Sequence, residues 1–568
     1  MTPVSVDLTG TMPTCMDRST HKDAGPDRNV PMTFRISKTI WLPFFLAAAL
    51  VAQSGDKIPT NLKPPPADRA AGFATITPDD CKTWLSTLAS DDFEGRGTGQ
   101  AGYQKAADYV AAHFKEWGLT PVGDKNSEGQ PTYFQNMMFE GSSIDVAGAV
   151  FEYSGGKEPV ALKMGEGWSA SGSGNLSGEW PVVFVSGKAS AKELGSLDIS
   201  GKAVIFMPVA EATSGARGNR AGRTSRDLAS KAAAVFTVND VAAARLPTAS
   251  SVVPKSSRSP SSAGEGPAAR RAPTLSISTA AAKSIAAAAG VDLDKLVASA
   301  TDAPVSKAGK GKIKVGVTTE TKEIPVPNVI GSLEGSDPTL KSEVVIIGSH
   351  LDHLGRSATG EIFNGADDDG SGSTGLLAVA RAFAKNGTRP KRTMVFIAMC
   401  GEEMGLLGSG YYVENPIFPI EKTVAEFQMD MIGRNEEHHP SENPTNEKAE
   451  ENVNTLHLIG SKKLSTQLHD IIEATNTAHV GFVFEYDQEG VYYRSDHYNF
   501  AKKGIPISFY FSGFHPDYHR ATDDVEKIDF SKVSRTAKLV YLSAYEVADR
   551  TARVVVDKKP ETERRRRG

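Results

Sequence analysis

After about residue 311, short apolar runs alternate regularly with longer amphipathic segments. The apolar runs are EVVIIGSH, TMVFIAMC, AEFQMDMIG and IPISFYF, and the amphipathic segments include TGLLAVARAFAKNG, SKKLSTQLHDIIEATN and residues 531–554. Runs that are apolar throughout are typical of strands buried on both faces, and the alternation is typical of helices that cover such strands. We therefore predict an α/β domain with a mostly parallel central sheet flanked by helices.

Polar clusters lie at the ends of these predicted strands. They are GSHLDHLG, NGADDDGSG, CGEEMG and QMDMIG, with HPDYHRATDD after the last strand. In open α/β sheets, ligands bind beyond the carboxyl ends of the strands. The candidate functional residues therefore lie where such a sheet binds its ligand.

The donors in these clusters are imidazoles and carboxylates, without thiolates. This donor set suits a divalent metal, with zinc first and Mn²⁺ or Co²⁺ as alternatives. Two imidazoles and several carboxylates are more than one tetrahedral ion needs, which indicates a pair of ions that share a bridging group. The candidates are His350, Asp352, Asp367, Asp368, Asp369, Glu402, Glu403, Asp430, His515 and His519.

Each cluster also has a purely structural interpretation. An acid before a helix is often an N-cap, and DDDGSGSTG leads directly into a predicted helix. The pair Glu402 and Glu403 could lie in an exposed turn, although they end an apolar run that should be internal. We interpret His438 and His439 as surface residues of a polar loop. Ser495 or Asp496 is expected to start a helix, so Asp496 and His497 are left out of the predicted site.

The composition excludes several classes of protein. A chain of 568 residues with 39% hydrophobic and 23% charged residues is typical of a globular protein of two or three domains, and its net charge of −5 gives no electrostatic reason to expect nucleic acid as a partner. Its three cysteines, Cys15, Cys81 and Cys400, are too few and too scattered for a disulfide framework or a thiolate metal site.

Residues 32–54 are typical of an export signal. Arg35 and Lys38 precede an apolar core, residues 40–52, that is too short to span a bilayer comfortably. We expect translation to start at Met32 and the mature protein to be exported, periplasmic or secreted, with no stable membrane insertion after signal cleavage. A genuine extended leader or an uncleaved anchor is the alternative.

The remaining boundaries follow changes in composition. We expect an upstream extension and signal over 1–57, a linker over 58–72, a first part of the catalytic domain over 73–140, a β-rich insert over 141–310, a second part of the catalytic domain over 311–555 and a charged, disordered tail over 556–568. Within the insert, the Ser/Pro/Arg-rich residues 245–273 are expected to be mobile.

Longer motifs resemble a known family. The stretches LASDDFEGRGTGQAGYQKAADYVAAHFKEWGL and YRSDHYNFAKKGIPISFYFSGFHPDYHRATDDVEKIDF, with the strand-end clusters between them, resemble secreted zinc aminopeptidases with a co-catalytic metal pair. Glutamate carboxypeptidases and glutaminyl cyclases belong to the same family. The resemblance runs from about Ala74 to Val554 and implies the zinc aminopeptidase (phosphorylase/hydrolase-like) fold. VSGKASAKELGSLDISGKAVIFMPVA in the insert resembles a protease-associated domain.

The resemblance also implies metal ligands. His350 and Asp430 should hold one zinc ion, Glu403 and His519 the other, and Asp368 should bridge the two. His519 is preferred to His515 because YHRATDD matches the closing motif of the family.

Further roles come from the same resemblance. Asp352 should orient the imidazole of His350 and raise its basicity. Asp367 and Asp369 should cap the following helix or support the ligands from behind. Glu402 should be the general base for a hydroxide that two zinc ions hold between them.

The predicted function is that of an exported metallo-aminopeptidase that acts on peptides. A carboxypeptidase or another amidohydrolase of the same family is the alternative, and Arg494 would then hold a substrate carboxylate. A non-catalytic, peptide-binding relative and a single-zinc cyclase are further alternatives.

Overall fold

The computed structural model describes most of the chain after residue 57. The described residues are 58–172, 174–187, 197–208, 225, 227–240, 251–254, 273–300, 304–357, 360–486 and 488–559. The predicted export signal lies outside the described residues, as does most of the Ser/Pro/Arg-rich stretch.

The helices and strands follow one another in a regular order. The helices are α1 (Ala70–Thr75), α2 (Pro78–Leu88), α3 (Ala101–Glu116), α4 (Thr279–Ala288), α5 (Leu293–Ser299), α6 (Gly372–Lys385), α7 (Leu407–Glu414), α8 (Ser461–Leu464), α9 (Thr466–His479), α10 (His497–Lys502) and α11 (Phe530–Asp549). The strands are β1 (Thr120–Pro121), β2 (Phe134–Ile144), β3 (Val150–Ser154), β4 (Val160–Ala161), β5 (Trp168–Ser171), β6 (Leu176–Ser186), β7 (Ala203–Met207), β8 (Ala234–Val238), β9 (Ser251–Pro254), β10 (Thr274–Ile277), β11 (Val305–Val317), β12 (Thr319–Leu333), β13 (Val344–His350), β14 (Gly355–Arg356), β15 (Ile362–Phe363), β16 (Thr393–Met399), β17 (Thr423–Met429), β18 (Thr455–Ile459), β19 (Val483–Glu485) and β20 (Ile507–Phe511).

A ten-stranded sheet forms the centre of the catalytic part, in the order β19-β18-β20-β17-β13-β16-β12-β2-β9, with β1 also paired to β12. The four strands β20, β17, β13 and β16 are parallel to one another, whereas β12, β2 and β9 continue the sheet with antiparallel pairs. The prediction of an α/β fold is confirmed, and the parallel part of the sheet is its centre.

Helices cover both faces of this sheet. On one face, Phe114 of α3, Leu377 of α6 and Val540 of α11 belong to one buried cluster. On the other face, Tyr412 of α7 and Phe500 of α10 belong to a second. The strands between them are apolar throughout because both of their faces are buried.

The insert has a sheet and a core of its own. Its eight strands lie in the order β4-β3-β11-β6-β7-β8-β10-β5. Phe151, Trp168, Phe184 and Phe236 lie in its hydrophobic cluster, which is separate from the clusters on the central sheet. The identity of the insert as a protease-associated domain stays a prediction.

The structure moves some of the predicted boundaries. The insert sheet extends to Val317 because β11 continues past residue 310, and β9 pairs with β2 in the central sheet. Helix α1 begins inside the predicted linker. Asp557 accepts the N–H of Thr466 (3.0 Å), so the predicted disordered tail does not begin at residue 556. Within the described part of the chain, no helix combines the length and the apolarity needed to cross a membrane.

Candidate metal centre

The parallel strands bring four of the predicted site segments to one edge of the central sheet. His350 is the last residue of β13, Glu402 and Glu403 follow β16, and Asp430 follows β17. These three strands are neighbours in the order β17-β13-β16. Asp368 lies in the segment that leads into α6. Since parallel strands end at the same edge, side chains that are far apart in the sequence converge there.

His350 and two carboxylates form the first half of the cluster. Its Nε2 lies 3.3 Å from Asp368 Oδ1 and 3.4 Å from Asp430 Oδ1. The three residues are 7% exposed or less. This spacing leaves one imidazole nitrogen and two carboxylate oxygens directed at a common point.

His519 and the other oxygen of Asp368 form the second half. His519 Nε2 lies 3.0 Å from Asp368 Oδ2 and 3.2 Å from Glu403 Oε2. The two oxygens of Asp368 therefore face different imidazoles, one in each half. This is the position that a bridging carboxylate would take.

His353 also belongs to the second half, although the sequence analysis did not include it. Its Nδ1 lies 2.8 Å from Glu403 Oε1 and 3.7 Å from Asp368 Oδ2. Its Nε2 has no hydrogen-bond partner among the described residues. The signal in the sequence was a second histidine, three residues after His350 in GSHLDHLG.

Glu402 lies beside the first half. Its Oε2 is 4.0 Å from His350 Nε2. Burial raises the pKa of the Glu402 carboxyl well above its usual range, and the carboxylates of Asp430 and Glu403 raise it further. Glu402 and Glu403 lie in a turn after β16. The expectation that they point in opposite directions, as in an extended strand, therefore does not apply here.

Asp352 contacts His350 differently from the prediction. Its backbone carbonyl lies 3.0 Å from His350 Nδ1, whereas its carboxylate Oδ1 is 3.9 Å from that nitrogen. The carboxylate is turned toward two other donors, the hydroxyl of Thr98 (2.7 Å) and the backbone N–H of Glu402 (3.1 Å). Asp352 therefore ties together His350 and Glu402 by separate groups.

Three acids support the cluster from behind. Asp369 accepts backbone N–H groups from His350 (3.1 Å), Gly372 (2.8 Å) and Met431 (3.1 Å). Asp523 Oδ2 accepts the backbone N–H groups of Asp367 (2.9 Å) and Asp368 (3.1 Å). Asp367 Oδ1 accepts the N–H of Gly433 (2.7 Å). The backbone that carries Asp368 is thus held on both sides.

His515 lies apart from the ligand atoms of Glu403. It is fully buried, and its Nε2 is 3.3 Å from Asp367 Oδ2. Of the two histidines in HPDYHRATDD, the structure brings only His519 next to Asp368 and Glu403.

Two other expectations about polar residues change. His439 is only 7% exposed, so its prediction as a surface residue is wrong. Its Nδ1 accepts the N–H of Glu442 (3.1 Å), which folds the loop over it. Helix α10 begins after Asp496, but no side chain caps it. The Asp496 carboxylate accepts instead from the hydroxyl of Ser409.

The electrostatics of the cluster suit divalent cations. Burial acts to lower the pKa of His519, but hydrogen bonds to Asp368 and Glu403 outweigh it and raise this pKa to about 10. The carboxylates thus require positive charge, which protons on the imidazoles supply when no cation is bound. Ligand atoms in a tetrahedral zinc site lie about 3.3 Å apart, which is close to the observed spacing. The residues could therefore hold two divalent ions.

Comparisons with known proteins extend this picture. A family model described as peptidase family M28 matches residues 328–544. The chain contains a peptidase family M28 domain. This match confirms the resemblance seen in the motifs. The ligand assignments themselves stay predictions.

Individual relatives match parts of the chain. A probable leucine aminopeptidase of Arthroderma otae is 28% identical over 228 residues, which cover 38% of this chain and 57% of that protein. A probable glutamate carboxypeptidase of Arthroderma benhamiae is 41% identical over 93 residues, 16% of this chain and 11% of that protein. The chain thus matches little more than half the length of the first of these relatives.

The fold of the M28 protein is also similar to a solved structure. The crystal structure of a zinc aminopeptidase from Bacillus subtilis aligns with 85% of this chain and 99% of its own, at a TM-score of 0.50 and 17% sequence identity. At this identity the likeness supports the fold.

Proposed function

We propose that this M28 protein is an exported metallo-aminopeptidase that removes residues from the amino end of peptides with the help of two zinc ions. One observation carries the proposal: the two oxygens of Asp368 face His350 and His519, and Glu402 lies beside this pair of sites. The aminopeptidase named among the relatives supports the activity. The export signal rests on the sequence pattern of residues 32–54.

The chemistry is hydrolysis of an amide bond. When bound, the ions lower the pKa of a water molecule and polarise the substrate carbonyl. Glu402 accepts the proton of the attacking water and donates it to the departing amine. Its raised pKa allows it to carry that proton near neutral pH. Asp352, through its contacts with His350 and the N–H of Glu402, keeps the base close to the ligands.

Charge near the cluster favours a free amino end over a carboxyl end. Arg494, the candidate anchor for a substrate carboxylate, already donates to Glu442 (2.5 Å) and to the hydroxyl of Tyr518 (3.2 Å). The ion pair with Glu442 offsets its positive charge. A substrate ammonium group would instead be attracted by the carboxylates of Glu402 and Asp430. The carboxypeptidase alternative keeps the support of the matching glutamate carboxypeptidase.

The test separates the base from a ligand. Glu402→Gln should keep the zinc content near that of the wild type and lower turnover by about 10²–10⁴-fold, because only the proton carrier is lost. Glu403→Ala should lose zinc as well as activity. Glu414→Gln, which changes an exposed glutamate paired with Lys503 (2.7 Å), is the control and should change neither.

Substrates decide the class of peptidase. Chromogenic dipeptides with free and with blocked amino ends should be assayed with and without a chelator. An aminopeptidase cleaves only the free forms and stops when zinc is removed. If Glu402→Gln kept most of its turnover, Glu402 would not be the base, and cleavage of amino-blocked substrates would favour a carboxypeptidase.

A further inference from the structure

A second group of metal-binding side chains lies outside the M28 ligand cluster. Glu436 is in the loop of residues 434–452 that follows β17, His457 is in β18 and Glu485 ends β19. The sequence analysis gave these residues no role. Three segments of the chain meet at this point.

The geometry of this group resembles that of the candidate metal centre. His457 Nε2 lies 2.8 Å from Glu436 Oε2 and 3.7 Å from Glu485 Oε2. In the parallel pair β18-β19, His457 and Glu485 are directly opposite each other, so the register of the sheet brings them together. The two distances bracket the separation of about 3.3 Å expected for neighbouring ligand atoms on one zinc ion.

Glu436 is oriented by groups that leave one of its oxygens for a ligand. Its Oε1 accepts from the side-chain amides of Asn443 (2.8 Å) and Gln488 (2.7 Å). Its Oε2 is the oxygen directed at His457. A Cβ at Gly513 would lie 2.4 Å from the Cβ of Glu436, so only glycine leaves room for this side chain. Hydrogen bonds that fix a ligating carboxylate in this way are common around bound metals.

The charges of the group also suit a cation. The side chains of His457 and Glu436 are 0% and 2% exposed, and that of Glu485 is 33% exposed. A protonated imidazole offsets only one of two carboxylates. The ammonium group of Lys532 donates to Asn435 Oδ1 (2.9 Å) and to the carbonyl of Asn452 (3.0 Å). A divalent ion would balance both carboxylates while His457 stays neutral.

We propose that Glu436, His457 and Glu485 form a further metal site for a divalent transition ion such as zinc, with Glu436 Oε2, His457 Nε2 and a Glu485 oxygen as ligands. The ion takes the place of the hydrogen bond between His457 and Glu436. It fastens the loop 434–452 to β18 and β19. The site does not depend on the proposed peptidase activity.

The loop connects this site to the M28 ligand cluster. Glu442, in the same loop, pairs with Arg494, which donates to the hydroxyl of Tyr518. The ring of Tyr518 is stacked on that of His519, with the centroids 3.9 Å apart. The proposed ion is therefore a structural ion that holds a wall of the candidate active site.

The test counts zinc in variants of the full chain. The protein is stripped with a chelator, reloaded with Zn²⁺ alone, dialysed and analysed for zinc per chain. His457→Asn should bind one ion fewer than the wild type. Glu485→Gln changes a partly exposed residue at the end of an edge strand, so it should fold normally and weaken the same ion by about 10-fold or more.

A matched control exists in the same part of the fold. His469 is also buried, and its nitrogens lie 2.9 Å from Ser461 Oγ and 3.6 Å from one carboxylate, that of Glu473. His469→Asn should keep the full zinc content. Zinc anomalous scattering from crystals of the loaded protein should give a peak between His457 and Glu436.

Two results would overturn the proposal. One is an unchanged number of ions in both His457→Asn and Glu485→Gln, and the other is the absence of an anomalous peak at His457 in fully loaded crystals. Either would identify the group as a buried hydrogen-bonded pair. The proposed peptidase function is tested separately by the turnover of Glu402→Gln.

Discussion

Two adjacent glutamates have opposite electrostatic surroundings in the candidate metal centre. Burial and the nearby Asp430 raise the pKa of Glu402 well above its usual range. Burial and Asp368 act in the same direction on Glu403, but hydrogen bonds to His353 and His519 prevail and lower its pKa. Two chemically identical side chains in one turn thus suit different tasks, proton transfer and metal binding.

At the residue scale, His353 offers a first prediction. Its hydrogen bond to Glu403 Oε1 (2.8 Å) directs the other oxygen of Glu403 at His519. We expect His353→Asn to weaken zinc binding by about 10–100-fold, since partners that orient a ligand typically contribute this much. Competition with a zinc-sensitive dye measures the affinity. The exposed His479, changed to Asn, is the control, and equal affinities in the two variants would contradict the role.

His497 gives a prediction about pH. Burial lowers its pKa to about 3. Because the pKa in the unfolded chain is about 6.5, only the unfolded chain binds this proton between these values. The contribution of His497 to the free energy of unfolding is therefore fully present above pH 6.5 and is lost as the pH falls toward 3. From pH 7 to pH 5 this loss amounts to about 2 kcal/mol.

Urea unfolding of the wild type and of His497→Phe measures this effect. Phenylalanine keeps a ring next to Phe509, on which His497 stacks at 4.6 Å. The free energy of unfolding should fall less steeply with pH in the variant, by about the same 2 kcal/mol between pH 7 and pH 5. Parallel curves for the two proteins would show that His497 is not buried in the neutral form.

At the scale of elements, Arg96 joins segments that position the ligands. Its guanidinium donates to four carbonyls, those of Leu351 (2.9 Å), Leu88 (2.9 Å), Asn364 (2.7 Å) and Gly365 (2.8 Å). Arg96 is fully buried. The end of α2, the segment after β13 and the segment before α6 thus meet at one side chain.

Arg96→Met should remove these bonds and leave the buried carbonyls without donors. We expect the free energy of unfolding to fall by about 3–5 kcal/mol and zinc affinity to fall with it, because His350 and Asp368 lie next to the freed segments. Urea denaturation and zinc titration measure the two effects. Arg553→Met, which removes a half-exposed pair with Glu343 (2.9 Å), should cost less than about 1 kcal/mol. Similar losses in the two variants would contradict the argument.

At the scale of the whole molecule, metal binding and stability are linked. The carboxylates of Asp368, Glu402, Glu403 and Asp430 meet in a mostly buried cluster, and bound cations relieve their repulsion. An ion that binds only the folded chain stabilises it by about 4 kcal/mol when its free concentration is 1,000-fold above its Kd. We therefore expect chelation to lower the melting temperature by several degrees, and calorimetry with and without chelator measures it. Equal melting temperatures for the stripped and the zinc-loaded protein would contradict the link.

Much of the catalytic part was predictable from local patterns. The helix predicted near residues 103–118 is α3, and Gly118, at φ 76°, follows its end. The strand predicted from EVVIIGSH is β13. Antiparallel additions such as β12 and β2 were not predicted, because their residues alternate or mix polar and apolar types and pair with strands far away in the sequence.

The sequence by itself determined which residues could form strands and helices, and which donors would stand at the strand ends, because periodicity and side-chain chemistry are local properties. Only the tertiary structure decided that His353 approaches Glu403, that the carbonyl of Asp352 faces His350 and that His439 is buried. These contacts depend on distances between segments, to within an ångström. Such distances are set by the packing of the whole sheet and its helices, and no short stretch of the chain contains them.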